Sequence, residues 1–456
     1  MSGASSHPAA QKFAAHVNPA FVRLLGAFGY GRVYEKAHGT RLWDSEGREY
    51  LDFLAGFGST NLGHNPPKLL ERVKEMLSDD SPSLVHTGIA VHAAELGAEL
   101  AKLAAPLTRC MFSTGGGEAV EAAMKLARAA TKRKAILYCK GGFHGLGLGA
   151  LSIMGHGRLR DPFEPLIPQC FEIPFDDLEA LEKALVSHKP AAFIVEPIQA
   201  EAGVCIPKQD YLRAAHALCQ KHGALLVLDE VQTGIGRTGS MFAYEQEGFV
   251  PDVLVLGKAL GGGLVPVSAT ITRPEIHDRA YGRVDRFDLH GATFSGWALG
   301  CRVALATLRI VEDDGLAKAA KDRGEQLVER LRDEVGTHPF VKGIRGRGLL
   351  VAIELGPTKA GGLLGRLLPG VVDVLSKRVF GQWLALRLLE RGILAQPASQ
   401  QWNVLKLSPP LTISEEEVEK VVDTIADVLA EYTELRPLLT DVGQRLGSQF
   451  LSGWSF

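Results

Sequence analysis

Short apolar runs alternate with amphipathic stretches through the middle of the chain. Arg109–Phe112, Ala135–Tyr138, Ala192–Val195, Leu225–Leu228, Val253–Leu256 and Ser268–Ile271 read as buried strands. Between and after them, Glu118–Thr131, Leu178–Val186, Gln209–His222 and Ala298–Val311 carry apolar residues at helical spacing. Near-continuous apolar strands separated by helices predict an α/β fold with a mostly parallel sheet covered on both faces.

The ends of the chain have a different texture. The first twenty residues read as a loose arm, Arg41–Phe53 as short alternating strands around a Glu46-Gly47 turn, and 66–105 as helical. Beyond about 315 a charged helix, Leu316–Gly336, leads to a strand region, Gly343–Glu354, and a last amphipathic helix, Glu415–Tyr432. The expected division is 1–65 as an arm and part of a small domain, 66–320 as a large domain, and 321–456 as the C-terminal small domain. Pro357 to Gly381 is apolar with little charge. It fits either an extra helical element on the small domain or an apolar wall over a substrate channel.

Composition narrows the classes. The chain has 456 residues and is 46% hydrophobic, enough for a large core and against disorder. A net charge of −2 argues against nucleic acid or an anionic membrane as the main partner. Six scattered cysteines with no CxxC pair suggest free thiols in a reducing cytoplasm and no metal site. Met1–Val17 lacks an apolar core and a basic cluster, so no secretory signal is expected. No uncharged apolar run reaches the roughly 18 residues of a membrane span.

Candidate chemistry sits where the apolar runs stop. In open parallel sheets, ligands bind beyond the carboxyl ends of the strands. Val195 leads to Glu196, Leu228 to Asp229, and Leu256-Gly257 to Lys258. A buried lysine is costly unless it is neutralised or used. A lysine and an acid ending neighbouring strands suit pyridoxal phosphate: the amine forms a Schiff base and the acid holds the pyridine nitrogen protonated. Met111-Phe112 runs into Ser113-Thr114-Gly115-Gly116-Gly117-Glu118, a glycine turn before a helix. Such a turn is either a plain strand-to-helix connection or a phosphate cradle. It lacks the GK[ST] of a P-loop, and Gly145-Leu146-Gly147-Leu148-Gly149 is not GxGxxG.

The segment Leu225–Gly239, with Gly257–Gly263, Phe143-His144-Gly145, Glu196-Pro197-Ile198-Gln199, Thr293-Phe294 with Gly296, and Ser408-Pro409-Pro410-Leu411, resembles the signature of class III pyridoxal-phosphate aminotransferases. These include the ornithine, acetylornithine, 4-aminobutyrate and putrescine enzymes. The motifs fall in family order from about residue 40 to 430. The resemblance implies a fold type I transferase, with a mostly parallel seven-stranded sheet and a smaller α+β domain built from both chain ends. It implies a homodimer with active sites at the interface, and small-molecule amino donors and keto or aldehyde acceptors.

The resemblance also implies roles. Lys258 would carry the cofactor and then shuttle protons, and Asp229 would pair with the ring nitrogen. Gly116 and Gly117 would bind the phosphate and Phe143 would stack on the ring. His144 would line the site or merely pack. Gln232 would sit near the phenolic oxygen, Thr293 would reach the phosphate of the neighbouring subunit, and Glu201 would lie near substrate.

Three departures stand out. The phosphate loop, Thr114-Gly115-Gly116-Gly117, is richer in glycine than the usual Ser-Gly pattern. Gly296-Trp297-Ala298 replaces Gly-Asn-Pro, so Trp297 adds bulk near the interface or site entrance. Lys406 stands where many members have the arginine that grips the substrate α-carboxylate, and a point charge is not a bidentate fork. Lys406 either binds a carboxylate more loosely or serves a terminal-amine, polyamine or hydrophobic donor. Ping-pong transamination is the leading expectation. A same-fold aminomutase, racemase or decarboxylase is the nearer rival, and a nucleotide-binding or interaction protein the distant one.

Overall fold

In a computed structural model of the chain, residues 7–27, 29–356, 369–434, 437–441 and 443 are described. Two compact units are present: Met1–Ala55 with Gly63–Asn65 and Asp322–Phe456, and Gly56–Leu62 with Pro66–Lys321.

The N-terminal part of the first unit supplies β1 (Tyr34–His38), β2 (Arg41–Asp44) and β3 (Glu49–Asp52). Asp44 Oδ1 accepts the N–H groups of Glu46 and Arg48, and Gly47 takes φ 77, which closes the expected turn between β2 and β3. Ahead of these strands, Pro8–His16 and Pro19–Ala27 are helices, so the expected loose arm is ordered. Each begins with proline, whose fixed φ suits a first helical turn.

The second unit is built on β4 (Arg109–Ser113), β5 (Ile136–Cys139), β6 (Cys170–Ile173), β7 (Ala192–Val195), β8 (Leu225–Asp229), β9 (Val253–Leu256) and β10 (Ser268–Thr272). They form one seven-stranded sheet in the order β4-β10-β9-β8-β7-β5-β6. β10 runs antiparallel to both neighbours, and the remaining pairs are parallel. The expected mostly parallel sheet is therefore present. β5, β7, β8 and β9 are buried at every position, which their unbroken apolar composition requires.

The helix Gly116–Thr131 covers one face with Ala119, Val120, Ala122, Ala123, Met124, Leu126, Ala127 and Ala130. Its many alanines let the backbone lie close to the sheet. It ends where Lys132 turns left-handed at φ 59. The helical reading of 66–105 resolves into two helices, Pro67–Leu77 and Val91–Leu103. The intervening Ser78-Asp79-Asp80-Ser81-Pro82 sequence is rich in turn formers, and Asp79 Oδ1 accepts the Ser81 N–H.

The first unit is completed by β11 (Val341–Arg347), β12 (Leu350–Leu355), β13 (Ile393–Leu394), β14 (Gln396–Ala398) and β15 (Gln401–Leu407). β13 extends the β1-β2-β3 sheet, and the other four form an antiparallel sheet in the order β11-β12-β15-β14. The helix Glu415–Ala430 starts with a capping box between Ser414 and Glu417 and buries Val418, Val421, Val422, Ile425, Val428 and Leu429. Of the apolar stretch Pro357–Gly381, 357–368 lies outside the described residues, as do the side chains of 369–378. From Pro369 the backbone is helical to Glu390.

Candidate active site

The parallel register of the sheet brings its polar strand ends together. Val195 pairs with Leu228, so Glu196 and Asp229 emerge side by side. β9 continues through Gly257, whose φ of −172 is extended, to Lys258 at φ 43. A lysine in the left-handed region is strained and is held only by its surroundings. It opens a short turn, Lys258–Gly261, closed by Gly262 at φ 59. The Lys258 Nζ donates to Gln232 Oε1 at 2.9 Å, which aims the amine at the turn following β8.

Asp229 is nearly fully buried and has two partners. Its Oδ1 accepts the Val231 N–H at 3.1 Å, and its Oδ2 lies 2.7 Å from His144 Nδ1. Burial works against a charged His144, but the hydrogen bond and charge of Asp229 outweigh it and raise the imidazole above its ordinary value. His144 thus holds the Asp229 carboxyl through Oδ2, a contact not among the roles expected from sequence. Its neighbour Phe143 is half-buried, and the Phe143 N–H donates to Glu196 Oε1 at 2.9 Å. Burial pushes the Glu196 carboxyl up to about 7. Beyond Asp229, Glu230 turns inward and accepts the N–H groups of Ala243 and Tyr244 at 2.6 and 2.8 Å, while burial raises it to about 8.

The glycine turn packs against both of these loops. A Cβ on Gly116 would fall 2.7 Å from Val231 Cγ1, and one on Gly145, at φ 124, would fall 2.7 Å from the Gly117 Cα. Gly257 packs beside them, its Cβ position at an ordinary contact of 3.4 Å from the Gly116 Cα. At Gly145, where the neighbour is backbone and φ is positive, only glycine fits. Ser268 Oγ, at the start of β10, donates to the Gly115 carbonyl at 2.9 Å. Thr114 turns away from any ligand: Glu118 Oε2 accepts its N–H at 2.7 Å and its hydroxyl at 2.8 Å. The first N–H groups of the helix Gly116–Thr131 have no intrahelical acceptor and sit at its positive end.

Gly116, Gly117, Phe143, His144, Asp229, Gln232 and Lys258 are therefore assembled around one strand edge. Glu201 lies on one other loop, and Thr293 and Trp297 on a second. Glu201 is buried in the turn bridged by Gln199 and Cys205. Thr293 is exposed in the turn before the helix Ala298–Asp313. Trp297 caps that helix, its indole lies over Gly300, and its ring meets Phe294 edge-on at 6.0 Å. Lys406 belongs to the other unit. It is fully buried on β15 and pairs with Ala352 of β12 and Gln396 of β14. The holding roles of Glu196, Glu230 and Val231 were not foreseen. The position of Glu230 next to Asp229 at a strand end was the available signal.

Among the described residues, Gln232 Nε2 and His144 Nε2 of this group, and Ser113 Oγ and Thr233 Oγ1 beside it in sequence, are buried without a partner. Buried donors of this kind call for an acceptor from elsewhere. Glycines at a helix start, an aromatic side chain, a buried carboxylate and a strand-end amine fit a flat, phosphorylated, carbonyl-bearing heterocycle. Among the described residues, no group of three or more His, Cys, Asp or Glu side chains could hold a metal ion. No described helix is long and apolar enough to cross a membrane.

Comparison with known proteins agrees with this geometry. The Aminotransferase class-III family model matches residues 28–429. The chain is 36% identical over 446 residues to Aminotransferase PigE of Serratia sp., covering 91% of this chain and 52% of that protein, so it spans about half the length of that relative. It is 41% identical over 396 residues to the acetylornithine aminotransferase of Methanopyrus kandleri, covering 86% of this chain and 92% of that protein. Among solved structures, an (S)-enantioselective omega-transaminase from Thermomicrobium roseum superposes with a TM-score of 0.82 at 30% identity, covering 93% of this chain and 98% of that one. The chain belongs to the class-III aminotransferases, a family of pyridoxal-phosphate-dependent transferases of fold type I.

Proposed function

We propose that this protein is a pyridoxal-phosphate transaminase that accepts amino groups from terminal or hydrophobic amines and passes them to a keto acid or aldehyde in two half-reactions. The observation that carries the chemistry is the pairing of Asp229 and Lys258 at the ends of adjacent strands, with the loop of Lys258 touching the Gly116 turn.

When bound, pyridoxal phosphate supplies an aldehyde carbon and an electron-withdrawing ring. Gly116 and Gly117 bind the phosphate through backbone N–H groups at a helix start. Asp229, backed by His144, keeps a proton on the ring nitrogen. Phe143 would cover one ring face, and Gln232 Nε2, whose Oε1 is taken by Lys258, would be the donor for the phenolic oxygen. Lys258 Nζ would hold the cofactor's aldehyde carbon and, when not so engaged, would be the base available to move a proton.

Lys406 and Trp297 support the donor class. A lysine in place of a carboxylate-gripping arginine gives up the planar bidentate geometry that favours α-amino acids. Glu201 is proposed as the acid on the substrate side. The active form is proposed as a homodimer in which Thr293 reaches the second copy's phosphate; exposed Val284, Phe287, Leu289 and Phe294 in the same region support that reading. The acetylornithine aminotransferase relative favours acetylornithine, a donor that carries a carboxylate, as the second reading.

Purified protein is expected to show a visible absorbance that borohydride bleaches. A half-reaction screen is expected to convert that band faster with terminal amines that lack a carboxylate than with acetylornithine. Protein that stays colourless with added pyridoxal phosphate overturns the chemistry. A strong preference for acetylornithine overturns the donor class alone.

A further inference from the structure

Phe143 sits in the least constrained sequence of the site, Gly141-Gly142-Phe143-His144-Gly145. Gly141 and Gly145 have φ of 79 and 124. Glycine at three of five positions lets a backbone sample many conformations, yet a ring that must present one face to a ligand needs one.

The start of the loop is fixed by backbone lacing. Gly141 N–H donates to the Gly155 carbonyl and Gly155 N–H to the Gly142 carbonyl, both at 2.9 Å. Gly155 approaches so closely that a Cβ there would lie 2.4 Å from the Cys139 carbonyl oxygen. The end of the loop is fixed through its side chain, by His144 on Asp229. Phe143 lies between these anchors, and Glu196 accepts its N–H.

Glu196 is 5% exposed. A buried carboxylate is unfavourable unless its hydrogen bonds compensate for the lost water. Strand register sets its reach. Tyr138 pairs with Ile194 and Val195 with Leu228, so the ends of β5, β7 and β8 stand in a row with Glu196 in the middle. From there it meets the loop leaving β5, while Asp229 meets the next residue of the same loop.

We infer that Glu196 is a positioning residue that fixes the Phe143 backbone and so sets the angle at which the phenyl ring meets the cofactor ring. It acts through Phe143 by its reach and acceptor geometry rather than by its charge. The inference rests on the pyridoxal-phosphate reading above.

The test uses purified holoenzyme with Glu196→Gln and Glu196→Asp. Gln keeps the length and an acceptor oxygen but loses the charge; Asp keeps the charge but falls short. The readouts are the pyridoxal phosphate dissociation constant and the circular dichroism of the cofactor band, which reports ring seating. Glu196→Gln is expected to stay within about twofold of wild type, and Glu196→Asp to bind about tenfold more weakly with a diminished band. In a Phe143→Leu background, Glu196→Asp is expected to add less than about twofold. An impaired Gln variant, an unimpaired Asp variant, or a full Asp effect without Phe143 overturns the inference. Wild-type protein that binds no cofactor overturns the underlying reading instead.

Discussion

His144 Nδ1 lies 2.7 Å from Asp229 Oδ2, with the imidazole side chain completely buried. The strand-end acid proposed to hold a ring nitrogen and the end of the Phe143 loop therefore meet in one hydrogen bond.

Removing the imidazole leaves the buried Asp229 Oδ2 without its hydrogen-bond partner. His144→Ala is expected to weaken cofactor binding by about tenfold, the loss of one charge-assisted hydrogen bond. Fluorescence titration of apoprotein with pyridoxal phosphate measures this.

Lys258→Ala removes both the covalent attachment and the proton carrier. Borohydride is then expected to fix no cofactor to the chain, as read by intact mass. Turnover is expected to fall by at least about a hundredfold, the low end of what a positioned acid-base group contributes.

Gly145→Ala puts a methyl group 2.7 Å from the Gly117 Cα on a backbone at φ 124. The cost is about 1–3 kcal/mol from backbone strain and overpacking. Thermal unfolding is expected at a lower temperature, and the displaced Gly117 should also weaken inorganic phosphate as a competitor of cofactor binding.

Glu230 is raised by burial from an ordinary 4.5 to about 8. The folded state therefore holds a proton that the unfolded state has released between those values, and stability falls as pH rises across that window. Glu230→Gln is expected to flatten this slope in denaturant titrations at pH 5, 6.5 and 8. It is also expected to lower stability by about 1–3 kcal/mol at pH 5, because Ala243 and Tyr244 donate to different oxygens and an amide has only one.

Lys406→Arg restores a planar fork on β15. It is expected to raise kcat/KM for donors with an α-carboxylate and leave that for simple terminal amines unchanged or lower. Paired donor kinetics decide it. An equal change for both donors would remove Lys406 from donor selection.

Much of this site was legible because burial leaves a clear mark in a sequence. Asp229 and Lys258 stand out as polar residues closing apolar strands, and β7, β8 and β9 read as unbroken apolar runs. β6 was missed because it lies at the sheet edge, where Glu172 is exposed and the run is broken. The Glu196 bond to Phe143 was hidden for a different reason. It depends on the register of β5 against β7, and hydropathy says which residues are buried without saying which stand side by side. Thr114 with Glu118 was closer to readable, since an acid in the first turn of a helix commonly reaches back to the residues before it.

The reversed strand β10 has a consequence for how the site comes apart. Its first residue, Ser268, is bonded to Gly115, and a Cβ on Gly257 would touch both Ser268 and Gly116. Loosening β10 from β9 is expected to loosen the seating of Lys258 and the Gly116 turn together. If both hold the cofactor, as proposed, cofactor release and sheet opening are coupled. Amides of β10 should exchange with solvent at a rate set by cofactor concentration, so that the ligand clasps the strand as much as the strand seats the ligand.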